Sequence, residues 1–461
     1  MSFVAIDLIL FAFFTLITVL FLYKHKTKIS REGIFYLYRT QIGVKIIEKV
    51  SKRYSKLIGA FQYISIVSGF VLMVSMVWFI VKLAITYITS PTMAQALKVP
   101  IIMPLFPYLP SLFKMDFLPP FYFTYWIIII AIVAIPHEFF HGIFARFSKV
   151  KVHSTGFGFL GPLILFFVEP NEKQLNKLPN KDYMAMLAAG TFANLLTATS
   201  ALLVFWLFFL AAFSPAGVSF NTYALTQING SQITGISNAS FGNITYLELS
   251  TNNGSYFTSM SLLPVLANSS AISQDTKVAV YENSPAFNNQ LGGAITSIDN
   301  IPIRSYNDLN KTLSSMIPGT TINIQTISEN NIKDYTITLA DKNGRAFLGI
   351  GIIPPQTRGI SGAIYKIISA VKSHEVYYKP RFGELGIFVN DLLWWLVLIT
   401  LSLALMNMLP IGIFDGGKFF YLFILSITKK KKIATWAYKI STWFFLLLLL
   451  VMMIKWVLAV F

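Results

Sequence analysis

Long apolar stretches alternate with basic or polar ones along this 461-residue chain. Apolar runs of about 20 residues or more mark membrane-spanning helices. They fall near Phe3–Leu22, Phe61–Thr89, Phe121–Phe147, Met184–Phe213, Ile387–Leu409 and Thr442–Val460. The pattern predicts a polytopic α-helical membrane protein with about six transmembrane helices. Basic residues follow the first run rather than precede it, and no small-residue cleavage site is apparent. It therefore reads as a span and not as a signal peptide.

The segments between the runs have distinct characters. The stretch 23–60 is basic and is expected to be cytoplasmic, with helical stretches; 90–120 is a Pro-rich outer loop. In Val152–Pro170, Gly and Pro punctuate an apolar run too short to span. This predicts a membrane-associated β-hairpin rather than an ordinary surface loop, tolerable in lipid only if packed against protein or a wet cavity. The stretch 214–276 is rich in Asn, Ser and Thr and is expected to be β-structured or partly flexible.

From 277 to 354 the pattern changes again. Val278-Ala279-Val280 alternates as a strand, Ser284-Pro285-Ala286 and Gly292–Asn300 follow, and Asn307–Met316 reads as a helix. A Pro318-Gly319 turn and strands at Thr321–Ile327 and Asp334–Leu339 complete the order. It resembles a PDZ domain of the type attached to membrane and periplasmic proteases, with Gly293 where an acidic residue is usual. The resemblance implies an extended peptide as a possible partner, bound by strand addition at a sheet edge.

The organisation expected is a first span at 1–22, the basic segment at 23–60, a second span at 61–89 and an outer loop at 90–120. A membrane core at 121–213 carries a helix, the hairpin and a second helix. An extracytoplasmic β-rich insert at 214–276, the PDZ-like domain at 277–354 and a linker at 355–386 follow. A second part of the core occupies 387–428, and 429–461 holds a basic loop and the last span.

The formal net charge of +17 does not imply nucleic acid, because of where it lies. Lys24, Lys26, Lys28, Arg31, Arg39 and Lys45 stand among the basic residues between the first two spans, and Lys429–Lys432 precede the last. Basic flanks of apolar helices mark the cytoplasmic side. The N-terminus and the 214–354 region then fall outside, in a multi-pass protein expected in the cell membrane. Sequons at Asn229, Asn238, Asn243, Asn253, Asn268 and Asn310 agree with that sidedness, although an Asn-rich stretch also makes them by chance. Cysteine is absent, which excludes disulfides, thiolate metal sites and cysteine nucleophiles.

The chemistry stands out inside the third run. His137-Glu138-Phe139-Phe140-His141 places two imidazoles one helical turn apart on one face, with a carboxylate beside them. Ionisable groups in a lipid-spanning helix need a compensating partner. Two histidines plus a base match the H-E-x-x-H arrangement of a zinc hydrolase. Catalytic zinc usually takes a third protein ligand. His153 lies a short loop away but reads as a polar hairpin residue. Asp391 sits near the outer end of its span. Asp415 follows a Pro- and Gly-broken apolar segment, Asn407–Gly417, at the depth expected of His141. Broken helices are how membrane proteins present polar groups at depth. The alternative for Asp415 is an ion pair with Lys418.

Together these motifs resemble the site-2 protease family of intramembrane zinc metalloproteases (M50-type). Beside H-E-x-x-H, the chain has Asn407-Met408-Leu409-Pro410 and Phe414-Asp415-Gly416, with Phe where the family has Leu. Gly190-Thr191-Phe192-Ala193-Asn194 matches the family's Gly-x-x-x-Asn pattern. The resemblance covers about Phe121 to Ile427. It implies one zinc ion held by His137, His141 and Asp415, with Glu138 as the catalytic acid and base. The substrates it implies are membrane-anchored proteins, cut within or near their transmembrane segments in regulated intramembrane proteolysis. Asn194 and Asn407 are candidate substrate-binding or oxyanion groups, or else interhelical hydrogen-bonding residues. The zinc site falls toward the cytoplasmic side. A helical substrate must unwind before hydrolysis, and an edge of the Gly156–Val168 hairpin offers a strand to pair with it. The competing function is a catalytically inactive adaptor that binds peptides and holds a structural zinc; Glu138 disfavours it, since a structural site needs no base.

Overall fold

The computed structural model describes residues 3–89, 103, 105–113, 115, 118–161, 163–242, 244–262, 277–328, 331–353, 366, 369 and 371–460. Part of the expected outer loop, part of the 214–276 insert, most of 355–370 and the sequons at Asn243 and Asn268 lie outside the described residues. The chain divides into two units, one formed by 1–207 with 388–461 and the other by 208–387.

Six helices among the described residues are long and apolar enough to cross a membrane. They are α1 (Phe3–Lys24), α3 (Ser55–Thr89), α4 (Phe123–Phe147), α5 (Asn180–Ala212), α7 (Gly383–Asn407) and α9 (Lys431–Val460), which overlap the six apolar runs; α9 starts well before its run, in the basic segment. A shorter α2 (Ile42–Arg53) precedes α3, and α8 (Asp415–Thr428) follows the break after α7. Leucines and valines such as Leu16, Val67 and Leu207 are exposed on these helices, as lipid-facing positions require.

The first unit also carries a four-stranded antiparallel sheet, ordered β1 (Ile29–Glu32), β2 (Phe35–Thr40), β3 (Val152–Leu160) and β4 (Leu163–Pro170). The last two strands form the expected hairpin, paired from Leu160↔Leu163 onward. The first two lie in 23–60 and were not anticipated there; the helical stretch expected in that segment is α2. Gly33, at a φ of +61°, turns a tight connection, and the aromatic run Phe35-Tyr36-Leu37-Tyr38 favours a strand. Strand β2 pairs along β3 from Tyr36↔Phe159 to Thr40↔Thr155. Among the described residues the hairpin therefore has one unpaired edge, along β4, and not two. Polar groups pin the sheet: Arg39 donates to Glu169 at 3.0 Å and Ser154 donates to the same oxygen at 2.6 Å.

Helix α1 is mostly exposed, and its buried residues are Asp7 and Thr18. Asp7 closes the start of α4. Its carboxylate accepts the amides of Phe123 at 2.8 Å and Thr124 at 2.9 Å, and the hydroxyls of Thr124 and Tyr108. Residue Tyr122, at the N-cap position itself, provides no side-chain cap. A carboxylate from another helix thus satisfies amides that the first turn leaves open, where the helix dipole also favours negative charge.

The second unit is β-rich. One sheet runs β6 (Leu225–Asn229), β10 (Lys277–Glu282), β9 (Gly254–Ser259), β8 (Ile244–Thr251) and β7 (Ile233–Phe241). A second runs β13 (Asn331–Thr338), β12 (Thr321–Ser328), β11 (Ala294–Ile298), β5 (Phe213–Val218) and β14 (Val376–Pro380). The strand at 277 thus pairs within the first sheet, while the second draws strands from both ends of the unit. Ile295, Ile298, Ile322, Ile324 and Ile337 fill the core of the second sheet beneath helix α6 (Tyr306–Ser314). Ser305 caps α6 by accepting the Asp308 amide.

Candidate metal centre

The apolar run that forms α4 continues through Pro136, which lies inside the helix. Proline has no amide to bond the carbonyl four residues back, so the ladder is relaxed one residue before His137. His137 and His141 then project one turn apart, with ring centroids separated by 4.7 Å. Their Nε2 atoms stand 3.1 Å apart.

Asp415 comes to the same point from the other side. After Asn407 the chain leaves the helix through Met408–Phe414, and α8 starts at Asp415. A Cβ at Gly416 would run into the Met408 carbonyl, and one at Gly417 into that of Ile411. Only glycine at these positions lets the loop lie across the first turn of α8. Helix α9 holds the loop in place: Ser441 donates to the Pro410 carbonyl at 2.9 Å, and Thr442 accepts the Gly412 amide at 3.1 Å. The Asp415 Oδ2 ends 3.5 Å from His137 Nε2 and 3.2 Å from His141 Nε2.

Three donor atoms, one from each of these residues, lie within 4.8 Å of one another. Around a tetrahedral zinc with bonds of about 2.0–2.2 Å, ligand atoms stand about 3.3–3.6 Å apart. The observed spacings of 3.1, 3.2 and 3.5 Å lie within or just below that range, close enough for the three atoms to share one ion. The donor set of two imidazoles and a carboxylate fits zinc. His141 Nδ1 is 2.8 Å from the Met186 carbonyl oxygen, the usual arrangement that turns Nε2 toward a metal. Lys418 lies 4.9 Å over the Tyr183 ring, so its cation has another neighbour than Asp415.

Glu138 borders the pocket formed by His137, His141, Met186, Asn407 and Asp415. Its Oε2 accepts the Val168 amide at 3.3 Å, which ties it to β4. The free edge of the sheet therefore runs beside this pocket. Asn407 lines it as well, whereas Asn194 lines a separate small cavity behind His137, to which Asn407 also contributes. A Cβ at Gly190 would strike both imidazole rings, so this glycine lets the α5 backbone back directly onto the histidines.

The other candidates lie elsewhere. His153 is exposed and its ring nitrogen is 3.0 Å from the Asn171 amide. Asp391 accepts from Asn390 at 3.1 Å. Neither joins the metal-competent group. Sequence reasoning did not single out Asp7 or the Val168 amide. Asp7 had a signal, since an acidic residue inside an apolar span asks for a partner. The Val168 amide had none.

The model of peptidase family M50 matches residues 125–451, more than half of the chain. The chain belongs to this family. No curated protein matches it. M50 membership and the six apolar helices make it a multi-pass membrane metalloprotease of a zinc-dependent family. The matched region contains the H-E-x-x-H helix, the Gly190–Asn194 stretch and the broken segment that delivers Asp415.

Proposed function

We propose that this M50 protease is a zinc-dependent endopeptidase. It hydrolyses peptide bonds within or near the transmembrane segments of membrane-anchored proteins, as in regulated intramembrane proteolysis. The observation that carries the reading is the close approach of one ligand atom each from His137, His141 and Asp415 among apolar helices long enough to span a membrane, with Glu138 on the same pocket. One zinc ion held by those three residues supplies a Lewis acid that lowers the pKa of water and draws charge from a carbonyl oxygen.

Glu138 accepts the proton of the attacking water and hands it to the departing amine nitrogen. Asn407, at the pocket wall, serves the substrate carbonyl or clamps the substrate backbone. The free edge of β4 receives the unwound substrate as an added strand, held by backbone hydrogen bonds. This assigns the membrane-associated hairpin a role in holding substrate beside the metal. The basic flanks support a zinc site toward the cytoplasmic side of a cell membrane, with the N-terminus and the 214–354 region outside. In that unit, a groove of about 1150 Å³ between α6 and the stretch Arg345–Ile352 suits an extended peptide, as a PDZ-like domain binds one.

The deciding experiment compares wild type with Glu138→Ala on a membrane-anchored substrate, with zinc content measured in parallel. Zinc retained with cleavage lost supports the assignment. Equal cleavage by both proteins ends it.

A further inference from the structure

The two histidines differ in what holds the far side of each ring. His141 Nδ1 faces the Met186 carbonyl oxygen at 2.8 Å. His137 Nδ1 is buried and has no hydrogen-bond partner among the described atoms. The same holds for Oδ1 of Asn194, a residue only 1% exposed. Both residues line one cavity of about 120 Å³, otherwise walled by Asn407 and by apolar side chains such as Ile129, Val133 and Leu403.

The two groups are complementary. With Nε2 of His137 turned toward Asp415 and His141, its Nδ1 carries the ring proton and needs an acceptor. An amide oxygen can only accept. The cavity is larger than the ~10–15 Å³ that seats one water. A metal-ligating histidine nearly always passes its second N–H to a carbonyl, a carboxylate or a water. Asn194 does not border the pocket shared by Glu138 and Asp415, which argues against direct contact with a scissile bond.

We propose that Asn194 is a positioning residue for the metal: a water held in this cavity accepts from His137 Nδ1–H and donates to Asn194 Oδ1. The pair fixes the tautomer and the ring angle of His137, as the Met186 carbonyl does for His141. The Gly190–Asn194 stretch of α5 then acts on the metal centre at both ends. Gly190 makes room for the rings, and Asn194, one turn on, orients one of them. This inference rests on the reading of His137 as a zinc ligand.

The test is equilibrium zinc binding, with zinc itself as the probe, by competition against a chromogenic chelator on the full chain in detergent. Asn194→Leu keeps the branched shape and removes the acceptor. Asn194→Asp keeps an oxygen acceptor at the same length. The expected result is binding weakened about 10–100-fold in Asn194→Leu and restored close to wild type in Asn194→Asp. Wild-type affinity in Asn194→Leu overturns the inference and leaves the metal reading intact. Equally weak binding in both variants also overturns it, because the returned acceptor has then done nothing. A wild type that binds no zinc removes the metal reading and this inference together.

Discussion

Asp7 accepts the Phe123 amide at 2.8 Å, so a carboxylate on the first apolar helix closes the start of the helix that carries the metal motif. The Thr124 amide and hydroxyl and the Tyr108 hydroxyl share the same acceptor. Replacing Asp7 with Leu leaves two helix-start amides and two half-buried hydroxyls without it. The expected cost is about 2–4 kcal/mol of stability, since hydrogen bonds to a charged group are worth about 1.5–3 kcal/mol. Thermal unfolding in detergent measures it. An unchanged midpoint would mean that water or another group replaces the carboxylate.

Gly190→Ala puts a methyl group where the imidazole rings of His137 and His141 already lie. The rings must turn or α5 must retreat, and either moves the Nε2 atoms off their mutual spacing. Zinc affinity is expected to fall by about 10–100-fold, as for other losses of support around a metal site. Thermal stability without metal should change much less. Isothermal zinc titration alongside a melting curve in chelator separates the two effects.

Val168 donates its amide toward Glu138, so the amide of Phe166, two residues earlier on β4, faces the same free edge. Phe166→Pro removes that outward donor without cutting the ladder to β3. One backbone hydrogen bond is worth about 0.5–1.5 kcal/mol, so cleavage of a stable transmembrane helix should slow roughly 2–10-fold. A loosely structured substrate that pairs little with the edge should be cut at nearly the wild-type rate. Equal slowing of both substrates would remove strand addition from the mechanism.

The Glu169 carboxyl is held below its ordinary value, first by the Ser154 hydroxyl that donates to it and then by the Arg39 guanidinium. A depressed carboxyl stabilises the folded sheet above the unfolded value of about 4.5, and the contribution disappears as pH falls through the lower folded value. Ser154→Ala should therefore melt below wild type near neutral pH, and the gap should narrow as pH drops below about 4. The side chain is 44% exposed, so the gap is small and shrinks further in high salt. Melting curves over a pH series read it directly.

The periodicity of apolar residues and the H-E-x-x-H spacing were legible because both are local. A helix of a given hydropathy spans a bilayer whatever surrounds it, and residues four apart share its face. The break at Asn407–Gly417 was also legible, since Pro and Gly announce it and a carboxylate at such a break has few other uses. The strands at Ile29–Thr40 were not. Their pairing partner, β3, lies more than a hundred residues away in sequence, and a short aromatic run fits a helix or a strand until that partner is known. The cap that Asp7 places on α4 and the contact of Val168 with Glu138 join elements that no local pattern connects.

What the sequence determined by itself is the set of membrane helices and the residue types able to hold and use zinc. What the tertiary structure alone decided is that Asp415 closes on His137 and His141 at ligand spacing, that Asn194 stands behind His137, and that one sheet edge lies beside Glu138. Helix propensity and amphipathicity act over a few residues. The distances that make a metal site depend on how separate helices pack, and glycines at 190, 416 and 417 set those approaches.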